Sequence, residues 1–243
     1  MIDVPQGYQL TFFCNTDELL PTADNISAML DVFRDRGLLP GTIQELQLTG
    51  PQVRLRFSSP SEEWNVNIPT GRIDIHKNSA APMGANLGTV DAFVADAVDL
   101  LTRVLRRFPR KGNRLSLVTV GLLPEMSDQA MAETYKRIFR PVGIYASSPA
   151  VEWDARSVVR VHEAVGRSTE AINAIATIKR TQGQMGQASG LVPFDRIQLS
   201  FDINTYHGTT DYRFESGDLA AAYGALAALR SRIIQDLKAY FNV

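Results

Sequence analysis

One order of periodic segments is written twice in this chain, and that order restricts the available folds more than any other feature. Residues 8–107 read strand, helix, four short strands, helix, and residues 114–240 read strand, helix, about three longer strands, helix. A strand–helix–meander–helix unit used twice implies an α+β protein of two similar halves, residues 1–112 and 113–243, forming one compact unit. The long helix that ends each half has a single apolar stripe, so both helices are expected on one face of a curved antiparallel sheet. The other face is then left open.

The local signals are these. Residues 8–14 are a β-rich run. Ile26, Met29, Leu30 and Phe33 recur at helical spacing within residues 25–36, with Thr22 or Asp24 as N-cap and Gly37 past the end. Residues 43–48 and 53–57 alternate as strands, with Val53, Leu55 and Phe57 opposite Arg54 and Arg56. Trp64, Val66 and Ile68 alternate with Asn65 and Asn67, and Ile73 and Ile75 with Arg72, Asp74 and His76, giving a meander with one buried and one wet face. Residues 89–108 form an amphipathic helix on Phe93, Val94, Ala97, Leu101 and Val104. In the second half, residues 115–123 read as a buried strand and residues 127–139 as a helix capped by Ser127. Residues 140–150 read as an irregular loop. Residues 151–165 and 169–181 alternate as strands about Gly166, Arg167 and Ser168. Residues 182–190, rich in Gly and Gln, are expected to be a flexible loop that forms a mobile hairpin tip and could bind a partner. Residues 196–206 are another strand, and Leu219–Phe241 is a closing helix.

Composition excludes several classes. The single cysteine, Cys14, rules out an intramolecular disulfide and reads as a small buried hydrophobe. Residues 1–5 lack the basic region and apolar run of a secretory leader, and no apolar stretch is long enough to span a bilayer. A cytoplasmic protein without a membrane partner is expected. The formal net charge of −1 supplies no global field to attract nucleic acid.

Three groups of residues carry candidate chemistry. Arg54, Arg56, Arg72, Asp74 and His76 share the wet face of the first meander, and this face is the leading binding candidate against the alternative of a plain solvated face. Arg103, Arg106, Arg107, Arg110, Lys111 and Arg114 are the densest basic segment. They suit an anionic partner, although compensation of a helix C-terminus accounts for part of the set. Phe108 is the only aromatic among them, which is sparse for base stacking. Asp202, His207 and Asp211 are the nearest approach to an acid–histidine cluster, with Glu152, Asp154, His162 and Glu163 able to join across a sheet. Such a set could bind a cation and activate water. His76, His162 and His207 otherwise lack metal-ligand spacing. No nucleophile elbow or phosphate loop is present, and no cofactor is called for.

Two resemblances add to this. The doubled order resembles the saddle of the TATA-binding protein in topology, without apolar wedges or a basic concave face. The run Arg106, Arg107, Phe108, Pro109 before Arg114, Leu115, Ser116, Leu117, and the run Leu199, Ser200, Phe201, Asp202, Ile203 before a terminal helix ending Ala239, Tyr240, Phe241, resemble a sporadically distributed family of uncharacterised prokaryotic proteins. That resemblance covers most of the second half. It implies a bacterial cytosolic protein and supplies no catalytic residue. The expectation is a non-catalytic binding or assembly subunit that acts through a protein partner or self-association, with Leu219–Phe241 as a dimer seam. A nucleic-acid-associated module using the basic segment, and a metal-dependent hydrolase, are the alternatives.

Overall fold

Strand alternation decides which side chains reach the core. β1 (Val4–Cys14) buries Tyr8, Leu10, Phe12 and Cys14 on one face and turns Gln9, Thr11 and Phe13 to the other. A computed structural model describes residues 1–48, 50–81, 84–148, 150–187 and 190–241. Among these residues, nine strands form one sheet. They are β1, β2 (Leu39–Gln47), β3 (Gly50–Ser58), β4 (Trp64–Ile68), β5 (Arg72–Asn78), β6 (Gly112–Leu122), β7 (Asp154–Val165), β8 (Ser168–Gln187) and β9 (Gly190–Thr205). Their order is β2-β3-β4-β5-β1-β6-β9-β8-β7, and all the neighbours run antiparallel. Each meander thus returns to the strand that precedes it, β5 to β1 and β9 to β6. β1 and β6 meet in the middle, with Leu10 opposite Leu117.

The helices are α1 (Ala23–Phe33), α2 (Val90–Arg107), α3 (Asp128–Phe139), the short α4 (Ile144–Ser147) and α5 (Leu219–Phe241). Thr22, Thr89 and Ser127 cap α1, α2 and α3 by accepting from the backbone N–H three residues on, at 3.3, 3.1 and 3.2 Å. α1 passes into a 3-10 turn over Arg34–Arg36, which ends at Gly37 in the left-handed conformation. α2 and α5 pack on the face that holds Leu10 and Phe12. Phe93 of α2 lies 5.4 Å from the Tyr8 ring and 5.8 Å from the Trp64 ring. Tyr223 of α5 is fully buried, and its hydroxyl donates to the Thr11 carbonyl at 2.7 Å. Arg230 is also buried here, with Nε on the Thr119 hydroxyl at 2.7 Å and the guanidinium over the Phe201 ring. Burial lowers its pKa. The larger core draws on both sides of residue 112, joining Phe12, Phe57, Phe93 and Leu101 to Leu117, Ile203, Tyr223 and Leu226. A smaller core gathers Leu123, Met131, Trp153, Leu199, Phe201 and Phe241.

Several expectations are corrected. Residues 182–187 are not a loop: they pair with residues 190–195, from Gln182 opposite Asp195 to Gln187 opposite Gly190. Backbone hydrogen bonds need no apolar alternation, and Gly183 leaves room for the Phe194 ring, which lies 2.8 Å from where a Cβ would sit. Ala188 and Ser189 at the expected loop tip lie outside the described residues. The expected loop at 140–150 contains α4. The apolar stripe of α5 is occupied within the chain: Leu226, Leu229 and Phe241 are buried, and Ile233 and Leu237 pack against the cores. A seam built on that stripe would compete with the sheet.

This packing ranks two substitutions. Phe93→Ala should cost about 3–5 kcal/mol, the usual range for removing a buried aromatic ring. Tyr223→Phe removes only a hydroxyl and should cost about 1 kcal/mol. Denaturant unfolding of both variants, at unchanged m-value, checks the order.

Candidate functional site

The sheet face opposite α2 and α5 carries a row of polar side chains that crosses six strands. Register sets it: Asp74 stands opposite Thr11, Thr11 opposite Ser116, Ser116 opposite Asn204, Asn204 opposite Asn173, and Asn173 opposite Arg160. The Thr11 hydroxyl donates to Asp74 at 2.7 Å, and the Ser116 hydroxyl to Asp202 at 2.8 Å. The Asn204 amide donates to the same Asp202 oxygen at 2.9 Å. The Asn204 carbonyl accepts from Asn173 at 3.2 Å and from Arg114 at 3.1 Å, and Arg160 Nε donates to Asn173 at 3.0 Å.

Neighbouring long side chains cover the row. Phe13 stands between Arg72 and Arg114, opposite both. The Arg114 guanidinium lies 4.6 Å from the Phe13 ring centroid, and that of Arg160 lies 3.7 Å from the Tyr206 ring centroid. Thr11, Asp74, Ser116 and Asn204 are buried as a result. Buried polar groups are costly unless bonded, and here each is bonded to a neighbour in the row or to Asp202 beside it. Arg114 Nε and Asn67 Oδ1 are exceptions among the described residues, being buried without a partner. Val118, Val120 and Ile175 form a half-buried apolar patch beside the row, around Asp202 and Ser200.

The expected sheet-face residues divide into two kinds. Arg54 is a structural tie: it is 2% exposed and donates to the Thr16 carbonyl and hydroxyl at 2.9 Å and to the Ile68 carbonyl at 3.2 Å. It binds β3 to the segment after β1. Arg56 is held by Asn65 and Glu62. Arg72 and Asp74 form a 2.8 Å ion pair at the end of the polar row. His76 stands opposite Gln9 and Asn65. Burial pushes its pKa below the usual histidine value, Asp74 acts against that, and Arg72 and Arg56 reinforce it.

The basic segment is dispersed. Arg103 pairs with Asp35 at 2.7 Å and Asp99 at 2.8 Å, Arg110 with Glu18 at 2.6 Å, and Lys111 with Glu215 at 2.6 Å. Arg106 and Arg107 are exposed in the last turn of α2, where the macrodipole favours cations. Arg114 belongs to the open sheet face. Asp202 is also on that face, whereas His207 and Asp211 are exposed in the segment that follows β9. Among the described residues no three His, Cys, Asp or Glu side chains are grouped to hold a metal ion. Nearby, Arg213 clamps Glu170 with two bonds at 2.9 and 2.7 Å. Burial raises the Glu170 pKa, but Arg213 and the Ser168 hydroxyl outweigh it and leave the group below its usual value.

Thr11, Phe13, Ser116, Asn173, Arg160 and Tyr206 escaped the sequence reading. The signal for Thr11, Phe13 and Ser116 is alternation in β1 and β6, hidden because both strands contain apolar residues on both faces, whereas Arg160, Asn173 and Tyr206 join the row only through the register of β7, β8 and β9. No protein-family model matches the chain, and no curated protein sequence is similar to it. No helix among the described residues is long and apolar enough to cross a membrane.

The lowered His76 pKa sets a pH dependence. The unfolded histidine takes a proton near pH 6.5, while the folded one resists until lower pH. The stabilising contribution is therefore complete above about pH 6.5 and is lost as pH falls through the folded value. Unfolding free energy should decline in that window, and His76→Gln should flatten the decline. An equal slope in the variant would assign it elsewhere.

Proposed function

We propose that this chain is a non-catalytic interaction subunit that holds a protein partner against the open face of its sheet. The observation that carries this is the polar row from Asp74 to Arg160, hydrogen-bonded in two groups on either side of the Thr11–Ser116 step, with the half-buried Val118, Val120 and Ile175 beside it. Apolar side chains interleaved with bonded polar groups are common at non-obligate protein interfaces, which are about as polar as the rest of a protein surface. Arginines stacked on aromatic rings are the side chains that dominate such interfaces energetically. The row is also bonded internally, so little side-chain freedom remains to be lost on docking.

The ion pairs of Arg103, Arg110 and Lys111 favour this reading over nucleic-acid binding, since those cations already have carboxylate partners. We further infer that the two halves descend from one duplicated unit. The return of β5 to β1 and of β9 to β6 supports this. The sporadic prokaryotic family, and with it a bacterial cytoplasmic setting, is retained as part of the same proposal.

Affinity capture from the native host tests the partner reading. The double variant Arg114→Ala/Arg160→Ala should lose a captured protein by roughly thirty-fold in affinity, as expected for an arginine hot spot of about 2 kcal/mol. Full retention of that protein by the folded variant would remove the open face from consideration. Titration with duplex and single-stranded oligonucleotides at low salt should give no binding. Affinity that falls steeply with added salt would instead favour the nucleic-acid alternative.

A further inference from the structure

Exposed apolar side chains are concentrated in one short segment. Val142, Ile144, Tyr145 and Val151 are 79%, 73%, 69% and 73% exposed, and Phe139 just before them is exposed as well. Large apolar groups scattered singly over a surface need no explanation, whereas a cluster marks a place of contact. Local backbone geometry produces this one. α3 ends at Arg140, a left-handed cap whose N–H bonds to the Lys136 carbonyl at 3.0 Å. Pro141 cannot continue a helix. Gly143, also with positive φ, turns the chain into α4. Val142 is left at the apex between the two turns, and Ile144 and Tyr145 open the helix that follows.

The charges within this segment have one sign. Between Glu133 and Glu152 the sequence has no acid, and it has Lys136, Arg137 and Arg140. Arg137 is held by Glu133 and by the Tyr240 carbonyl. Lys136 and Arg140 are exposed and have no carboxylate partner among the described residues. Lys136 lines the same groove between α3 and α4 as Tyr145, and Arg140 lies two residues from Val142. Cations and apolar groups therefore share one surface. Another exposed apolar pair, Leu46 and Leu48 beside the β2–β3 turn, differs: Glu45 is its neighbour, and residues 37–53 contain no Lys or Arg.

We propose that residues 136–145 are a peripheral anchor for an anionic lipid surface, with Val142, Ile144 and Tyr145 entering the boundary between headgroups and acyl chains and Lys136 and Arg140 bonding headgroup phosphates. Two observations select a bilayer over a protein partner here. Side chains about three-quarters exposed touch little of their own protein, so each stands clear of the surface. A protein partner would need a separate pocket for each, whereas the fluid boundary of a bilayer accepts them in any arrangement. The second observation is charge. Surface anchoring draws on buried apolar area together with attraction to anionic lipids, and residues 136–145 supply both. Tyrosine also suits such a boundary, having an apolar body and a polar tip. α3 joins the smaller core through Met131, Tyr135 and Ile138, together with Leu237 and Phe241 of α5. The anchor is thus on the helix side of the sheet, and a bound bilayer leaves the open face free. The proposal does not depend on what that face holds. Nor does it require a span, since an anchor of this kind lies on a bilayer and does not cross it.

Flotation with vesicles tests the anchor. The wild type should float at low salt with an equal mixture of phosphatidylcholine and phosphatidylglycerol, and far less with phosphatidylcholine alone. Lys136→Gln/Arg140→Gln should lower the partition coefficient onto the mixed vesicles roughly thirty-fold. Val142→Ser/Ile144→Ser should lose binding to a similar degree with an unchanged circular dichroism spectrum, because both side chains touch little of the fold. Leu46→Ser, at the exposed site without cations, should bind as the wild type does. Insertion is read separately. Ile144→Cys carrying an environment-sensitive fluorophore should shift its emission to the blue on adding mixed vesicles, and the native thiol, Cys14, is buried and does not take the label. A wild type that stays in solution with the mixed vesicles overturns the proposal. So does equal flotation with both kinds of vesicle, full retention by Val142→Ser/Ile144→Ser, an equal loss in Leu46→Ser, or a bound probe whose emission does not move.

Discussion

The pairing of β1 with β6 is the constraint on which the rest of the structure depends. These strands are the only described link between the two meanders within the sheet, running from Val4 opposite Leu122 to Cys14 opposite Gly112. They are central and carry burial on both faces. On one side Leu10 and Leu117 hold the floor of the larger core, against which α2 and α5 pack. On the other side Thr11 and Ser116 hold the middle of the polar row. A register shift of one residue would exchange the two sets, placing hydroxyls under the helices and leucines on the open face. Close packing at the end of the pair opposes such a slip. Gly112 lies against the Phe12 ring, 2.4 Å from where a Cβ would sit, so a larger residue brought to this position would clash.

Charged groups inside this protein are tied down in different ways, and the difference separates scaffold from surface. Arg54 is spent on the backbone carbonyls of Ile68 and Thr16, and Arg196 on the Leu123 carbonyl and the Asp3 carboxylate. Removing either would leave several acceptors unsatisfied. Glu170 and Arg213 neutralise each other at the segment after β9. Arg114 and Arg160 are held less completely, by amide groups and aromatic rings. Neither has a carboxylate partner among the described ion pairs. Guanidinium groups without a carboxylate partner are thus found on the open face, at Arg114 and Arg160, as well as at the exposed end of α2, at Arg106 and Arg107.

Local order was legible in the sequence because local physics sets it. The caps at Thr22 and Ser127, the glycine past α1 and the alternation of β3 to β5 all act within a few residues. The polar row was not legible. Asp74, Thr11, Ser116 and Asn204 come from four separate strands, and only register brings them together. Arg114 illustrates the same point, since a charge run in sequence is divided once the chain enters a strand. The extent of the paired strands in residues 182–195 is hidden for another reason. These strands satisfy their backbone groups in each other, so glycine and glutamine extend them without the apolar alternation that marks a sheet facing a core.

Cys14 illustrates what a central strand implies for the chemistry of its side chains. Burial pushes its thiol up to about 12, with Arg110 only partly offsetting the effect. At neutral pH the closed molecule therefore presents almost no thiolate to an alkylating reagent. Reaction requires the end of β1 to open, parting Cys14 from Gly112 on one side and from Gly71 on the other. The chain thus carries a built-in clock for one opening: the rate at which its single thiol is consumed counts how often the end of this central strand comes free.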